Sequence, residues 1–174
     1  IADHIPPAVS SFLLTSEVRA ENILKHHYLT HTNTLQLVDY LELETYELLH
    51  KELPWIKLVQ VIHVIDEHDI TRAKLVEPFV DALLLDSGNP NLQVKVLGGT
   101  GNIHNWNISR IIREEVNIPV FLAGGLHAGN VRDAIEAEEP YGLDLCSGVR
   151  TNGQLDEEKL DAFFAAVYGV FFNK

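Results

Sequence analysis

Apolar residues along this chain fall into short, nearly continuous runs. Between the runs they recur at helical spacing among charged residues. Ala82-Leu83-Leu84-Leu85 and Val59-Gln60-Val61-Ile62 are runs of the first kind. Such runs suit parallel strands covered on both faces, because a solvent-facing side would alternate with polar residues. The pattern predicts strands over residues 9–16, 34–39, 57–64, 82–87, 120–125 and 142–148. Helices are predicted over 17–27, 42–52, 67–76, 107–116, 128–137 and 156–167. Ser16 is the expected N-cap of the first helix, and Pro54 stops the second. Residues 88–106 read as a long glycine-rich loop.

Six strand–helix units in succession specify a parallel sheet covered by helices. An open doubly wound sheet and a closed TIM (β/α)8 barrel both fit that alternation. The barrel needs eight units. Residues 1–8 read as the tail of an earlier helix, and the chain contains no Met. The expectation is therefore an α/β barrel in which six consecutive units are present and the N-terminal two are missing. Residues 1–174 would form a single, N-terminally incomplete barrel domain.

Composition narrows the partners. Apolar residues make up 46% and charged residues 22%, which fits a globular domain with an ample core. The formal net charge of -12 speaks against nucleic acid and anionic membranes, both polyanions. No apolar run approaches the roughly 20 residues of a membrane span. A small phosphorylated ligand remains compatible, because backbone N–H groups can hold a phosphate inside an acidic protein. The single cysteine, Cys146, allows no intrachain disulfide, which fits a cytoplasmic setting. Cys146 itself reads as a small strand residue.

Candidate chemistry gathers just after the strands. Asp86-Ser87-Gly88 follows the fourth, Gly98-Gly99-Thr100-Gly101 lies in the loop beyond it, Ala123-Gly124-Gly125-Leu126 ends the fifth, and Cys146-Ser147-Gly148-Val149 ends the sixth. Parallel α/β proteins place ligands at strand C-terminal ends, and barrels often bind phosphate at the last two. Glycine lets backbone N–H groups approach a phosphate oxygen closely. Each glycine pair alone would be an ordinary tight turn; their succession is what points to an anion. No Walker-type lysine follows the 98–101 loop. His26, His27 and His31 read as solvent-facing. His63 reads as either a barrel-mouth residue or a packed core residue, and His104 beside Asn105 is the better candidate. No pair has metal-ligand spacing. Asp156-Glu157-Glu158 reads as an acidic helix N-terminus.

These motifs, in this order, resemble the phosphoribosylanthranilate isomerase family from about residue 5 to residue 165, most closely from 82 to 156. Leu84-Leu85-Asp86-Ser87 is similar to the family's sixth-strand motif. Gly98-Gly99-Thr100-Gly101 followed by Trp106 is similar to its Gly-Gly-Ser/Thr-Gly loop ending in Phe-Asp-Trp. Leu122-Ala123-Gly124-Gly125-Leu126 with Asn130-Val131 resembles the seventh strand end, and Leu143-Asp144 with Ser147-Gly148-Val149 the eighth. The resemblance makes the first strand here the third of the barrel. It implies an Amadori rearrangement of a phosphoribosyl amine in tryptophan biosynthesis, with neither metal nor cofactor. It implies phosphate and substrate binding by Asp86, Gly99, Gly101, Gly124, Gly125, Ser147 and Gly148.

The family's base is a cysteine on its first strand, without counterpart in these six units. Its acid is the aspartate of Phe-Asp-Trp, and Asn105 stands there instead, in His104-Asn105-Trp106. An amide has no proton to give near neutral pH. His104 or Asp144 would have to supply the proton. Val38-Asp39 replaces the usual His-Gly after Gln36-Leu37, and Arg150 replaces a common Glu. The readings are therefore an isomerase of this type, a barrel enzyme acting on another sugar phosphate, or a phosphate-binding module without catalysis.

Overall fold

The structure is a computed structural model that describes residues 2–86 and 106–172. Six strands form one parallel sheet: β1 (Phe12–Thr15), β2 (Thr34–Leu37), β3 (Lys57–His63), β4 (Ala82–Asp86), β5 (Val120–Leu122) and β6 (Gly142–Leu143). Helices α1 (Ala20–Thr30), α2 (Leu43–Glu52), α3 (His68–Val76), α4 (Trp106–Glu115), α5 (Val131–Glu138) and α6 (Glu157–Phe172) follow them in alternation. A 3-10 turn (Ser147–Val149) and a small hairpin, β7 (Arg150–Thr151) with β8 (Gln154–Leu155), lie between β6 and α6.

Spatial order along the sheet equals chain order, β1 to β6, and every neighbouring pair is parallel. Right-handed crossovers between successive neighbours put every helix on the same face. A doubly wound sheet needs a reversal of strand order, and this sheet has none. The sheet therefore curls as part of a (β/α)8 barrel. Among the described residues β1 and β6 each pair with one neighbour only, and Leu14 on β1 is 60% exposed.

The two faces of the sheet have different jobs. Leu35, Leu37, Leu58, Ile62, Leu83, Leu85 and Leu122 face the helices and belong to the main core. Val59, Val61, Ala82, Leu84 and Ala123 form a second, smaller cluster on the inner face. Alternation along each strand thus turns Gln36, His63, Asp86 and Asp144 inward as well. Gly142 belongs to that packing, because a Cβ there would lie 2.7 Å from the Phe121 ring. On the helix side, buried Gln60 accepts from the Tyr46 hydroxyl and donates to the Leu37 and Asp39 carbonyls. That bond network satisfies a polar side chain that would otherwise be costly in an apolar layer.

Several sequence expectations shift here. The first helix starts at Ala20 after Arg19, so Ser16 is not its N-cap. That helix runs on to Thr30, and His27 is buried at 6% exposure instead of solvent-facing. Its one-turn spacing from Ile23 puts it on the apolar stripe. The sixth strand ends at Leu143, not Gly148; Cys146 is exposed and precedes the 3-10 turn, so it is not a strand residue. The acidic run before α6 does act as a helix start: Asp156 accepts from the Lys159 N–H at 3.1 Å and from the Thr151 hydroxyl.

Candidate active site

The C-terminal strand ends surround a cavity of about 400 Å³. Volumes of this order suit small ligands. Its floor is apolar, with Val61, Leu84 and Ala123 from the inner cluster. Its rim carries Thr15-Ser16, Gln36, Asp86, Gly124-Gly125 and Asp144 through Ser147. Five of the residues expected from sequence thus meet on one wall system: Asp86, Gly124, Gly125, Asp144 and Ser147. Gly148 lies directly behind that wall. Gly99, Gly101, His104 and Asn105 lie outside the described residues.

Two turns build the side of the cavity after β5 and β6. Gly124 and Gly125 have φ of 86° and 65°, the left-handed region that glycine enters without a Cβ clash. Gly148 meets the same turn from the other side: a Cβ on it would stand 1.9 Å from the Leu126 carbonyl oxygen. The main chains of the two loops are therefore in contact, and only hydrogen at residue 148 permits it. Among the described residues no backbone carbonyl accepts the N–H of Gly124, Gly125, Ser147 or Gly148. N–H groups left unpaired on converging turns form an anion-binding concavity. Among the described residues lining the cavity there is no Lys or Arg, so backbone dipoles are the positive partners available to an anion.

The carboxylates sit at inward positions at the ends of β4 and β6, with β5 between them. Asp86 ends β4 and is buried at 6% exposure. Asp144 follows β6, and its N–H bonds to the Leu122 carbonyl at 2.8 Å. Asp144 as a residue is exposed, but partial burial of its carboxyl raises it above the ordinary aspartate range, and the charge of Asp86 pushes the same way. A carboxyl so placed keeps its proton to higher pH than an ordinary aspartate.

Of the two readings of His63 the packed one holds, and it is not among the residues lining the cavity. It is packed, at 2% exposure, and it turns inward beside its register partner Asp86. Its Nε2 lies 3.1 Å from the Val38 carbonyl oxygen, which makes that nitrogen the donor. Arg150 points away from the cavity and donates to the Gly153 carbonyl in the hairpin. Two participants were quoted from sequence only as parts of family-like motifs, not as site residues. Gln36 lines the cavity, and its inward register on a strand was the available signal. Asn130 is buried and bonded to the turn after β5; Asn just ahead of a helix was the signal there.

A parallel α/β sheet curled as in a (β/α)8 barrel, with glycine-built turns lining a cavity at its last two strand ends, defines the class: a (β/α) barrel with its candidate site at the strand C-terminal ends. The comparisons give the family. The profile of "N-(5'phosphoribosyl)anthranilate (PRA) isomerase" matches residues 15–166. N-(5'-phosphoribosyl)anthranilate isomerase 2 of Methanosarcina mazei is 38% identical over 174 residues, 99% of this chain and 76% of that protein. The crystal structure of phosphoribosyl anthranilate isomerase from Thermotoga maritima superposes with TM-score 0.79 at 26% identity, covering 97% of this chain and 77% of that one. The enzyme structure from Pyrococcus furiosus gives TM-score 0.74 at 25% identity, over 94% and 76%. The chain belongs to the phosphoribosylanthranilate isomerase family.

Proposed function

We propose that the chain catalyses the Amadori rearrangement of N-(5'-phosphoribosyl)anthranilate in tryptophan biosynthesis, with Asp144 donating the proton. The observation that carries this reading is the contact between the Gly124–Leu126 and Ser147–Gly148 main chains beside an Asp144 whose carboxyl is pushed toward its protonated form. The unpaired N–H groups of those turns hold the 5′-phosphate. The ribose then extends over the apolar floor toward Asp144 and Asp86. Ring opening needs a proton on the ring oxygen, and Asp144 delivers it. A general base, in the family the first-strand cysteine, takes the C2′ proton of the resulting Schiff base, and the enolamine so formed tautomerises to the ketone. The chemistry is internal to the substrate, so the expectation of no metal and no cofactor stands with this reading.

Asn105 occupies the position of the family's acid and has no proton to transfer. Proton donation through Asp144 alone makes the chain a slower isomerase than one with both carboxyls. The test is turnover of N-(5'-phosphoribosyl)anthranilate by the full chain and by Asp144→Asn. A lost general acid costs roughly 10²–10⁴-fold in rate, so kcat should fall by that range with KM little changed. Unchanged kcat would remove Asp144 from the mechanism. No turnover by the parent chain, with phosphate binding intact, would leave a barrel acting on another sugar phosphate or a non-catalytic phosphate-binding module.

A further inference from the structure

We infer that Asn130 is a positioning residue of the anion seat, acting through the turn between β5 and α5. The inference rests on the phosphate seat proposed above.

Asn130 is buried at 7% exposure, immediately before α5. Its side chain does not cap that helix. It reaches back instead. Its Oδ1 accepts the His127 N–H at 2.8 Å, and its Nδ2 donates to the Gly125 carbonyl at 2.9 Å. The partners fix which end of the amide is which, since an N–H needs an oxygen and a carbonyl needs an N–H. The Asn130 N–H adds a bond to the His127 carbonyl at 3.1 Å. One side chain therefore clamps both ends of the segment whose middle residue, Leu126, touches Gly148.

Leu126 is anchored in the core at 2% exposure and the His127 carbonyl also accepts the Val131 N–H at 3.0 Å, so the glycine end is the one that needs the clamp. Gly124 and Gly125 carry no side chains to pack, and their conformational freedom is large. A seat made of N–H groups binds only while the groups point to one place, so loss of the clamp is loss of preorganisation. Both halves of the amide are needed. Aspartate keeps the shape and the acceptor, but it sets a carboxylate oxygen against the Gly125 carbonyl. It also brings negative charge next to the anion.

The experiment measures inorganic phosphate binding by calorimetry, with kcat and KM, for the full chain and for Asn130→Asp. The expected result is phosphate affinity weakened by at least about tenfold and KM raised alike, with kcat within about threefold. A purely structural residue would lower the melting temperature and leave phosphate affinity and the KM-to-kcat balance alone. Folded Asn130→Asp that binds phosphate as tightly as the parent overturns the inference while the seat stands. Failure of the parent to bind phosphate overturns the seat and the inference together. Should Asn130→Asp not fold, Asn130→Ser is read the same way, since a hydroxyl can satisfy only one of the two bonds well.

Discussion

Replacing Gly148 with alanine adds one methyl group at the tightest point of the site. Its Cβ would lie 1.9 Å from the Leu126 carbonyl oxygen, 3.0 Å from the Leu126 carbonyl carbon and 3.2 Å from the His127 Cα. Carbon and oxygen ordinarily approach no closer than about 3.3 Å. The two turns must therefore part by roughly 1 Å or more, and no side-chain rotation relieves the clash, because all three atoms are main chain. N–H···O bonds work over about 2.7–3.2 Å, so donors on opposite sides of the anion cannot both follow it. A hydrogen bond to a charged group contributes about 1.5–3 kcal/mol. Losing two weakens binding by about 3–6 kcal/mol, on the order of 10²–10⁴-fold. Overpacking itself costs about 1–3 kcal/mol of stability, a drop of roughly 2–4 °C in Tm per kcal/mol for a chain of this size. Calorimetry with inorganic phosphate and a melting curve on Gly148→Ala separate the two effects. A folded variant with parental phosphate affinity would refute the claim that this pair of turns holds the anion.

Two further outcomes follow from the acid position and from a buried carboxyl. Asn105→Asp restores a carboxyl at the family's acid position and should raise turnover of N-(5'-phosphoribosyl)anthranilate at least about tenfold, within the range of general acids; no gain would mean that proton donation does not limit the parent. Glu138, 3% exposed, has its carboxyl pushed up from 4.5 to about 8 by burial. The folded chain then keeps a proton that the unfolded chain releases, so this group's contribution is favourable below about pH 4.5 and is lost as pH rises through about 8. Denaturant unfolding from pH 5 to pH 8 should show a decline of about 3 kcal/mol that Glu138→Gln lacks; the same slope in both proteins would assign it elsewhere.

The sheet was legible because its strands are buried on both sides, and apolar runs such as Ala82 to Leu85 leave no other reading. Barrel against open sheet was not legible from the runs themselves. That choice depends on which strands pair, and pairing is set by contacts far apart in sequence. The sixth strand was overextended for a similar reason. Residues 144–148 contain small and apolar side chains at strand-like spacing, but they curve away to meet the turn after β5. His27 was misread because a charged-looking pair, His26-His27, straddles the edge of an apolar stripe. The glycines of the two turns were legible for a simple steric reason. Left-handed φ and main-chain contact demand the absence of side chains, and absence repeats visibly at Gly124, Gly125 and Gly148. Asn130 was visible as part of the Asn130-Val131 motif, but its role was not, because its bonds run backward along the chain to His127 and Gly125.

The proposed seat and the proposed acid share one short stretch, residues 144–148. Partial burial, and after it the charge of Asp86, raise the Asp144 carboxyl above the ordinary aspartate value. A phosphate dianion bound at Ser147-Gly148 adds another negative charge to the same surroundings, and like charge pushes a carboxyl further in that direction. Under the proposed mechanism, substrate binding would push the Asp144 carboxyl in the direction that ring opening requires. An acid on β6's own end feels it as soon as the phosphate is seated. That coupling would favour proton donation by Asp144 in the rearrangement proposed above.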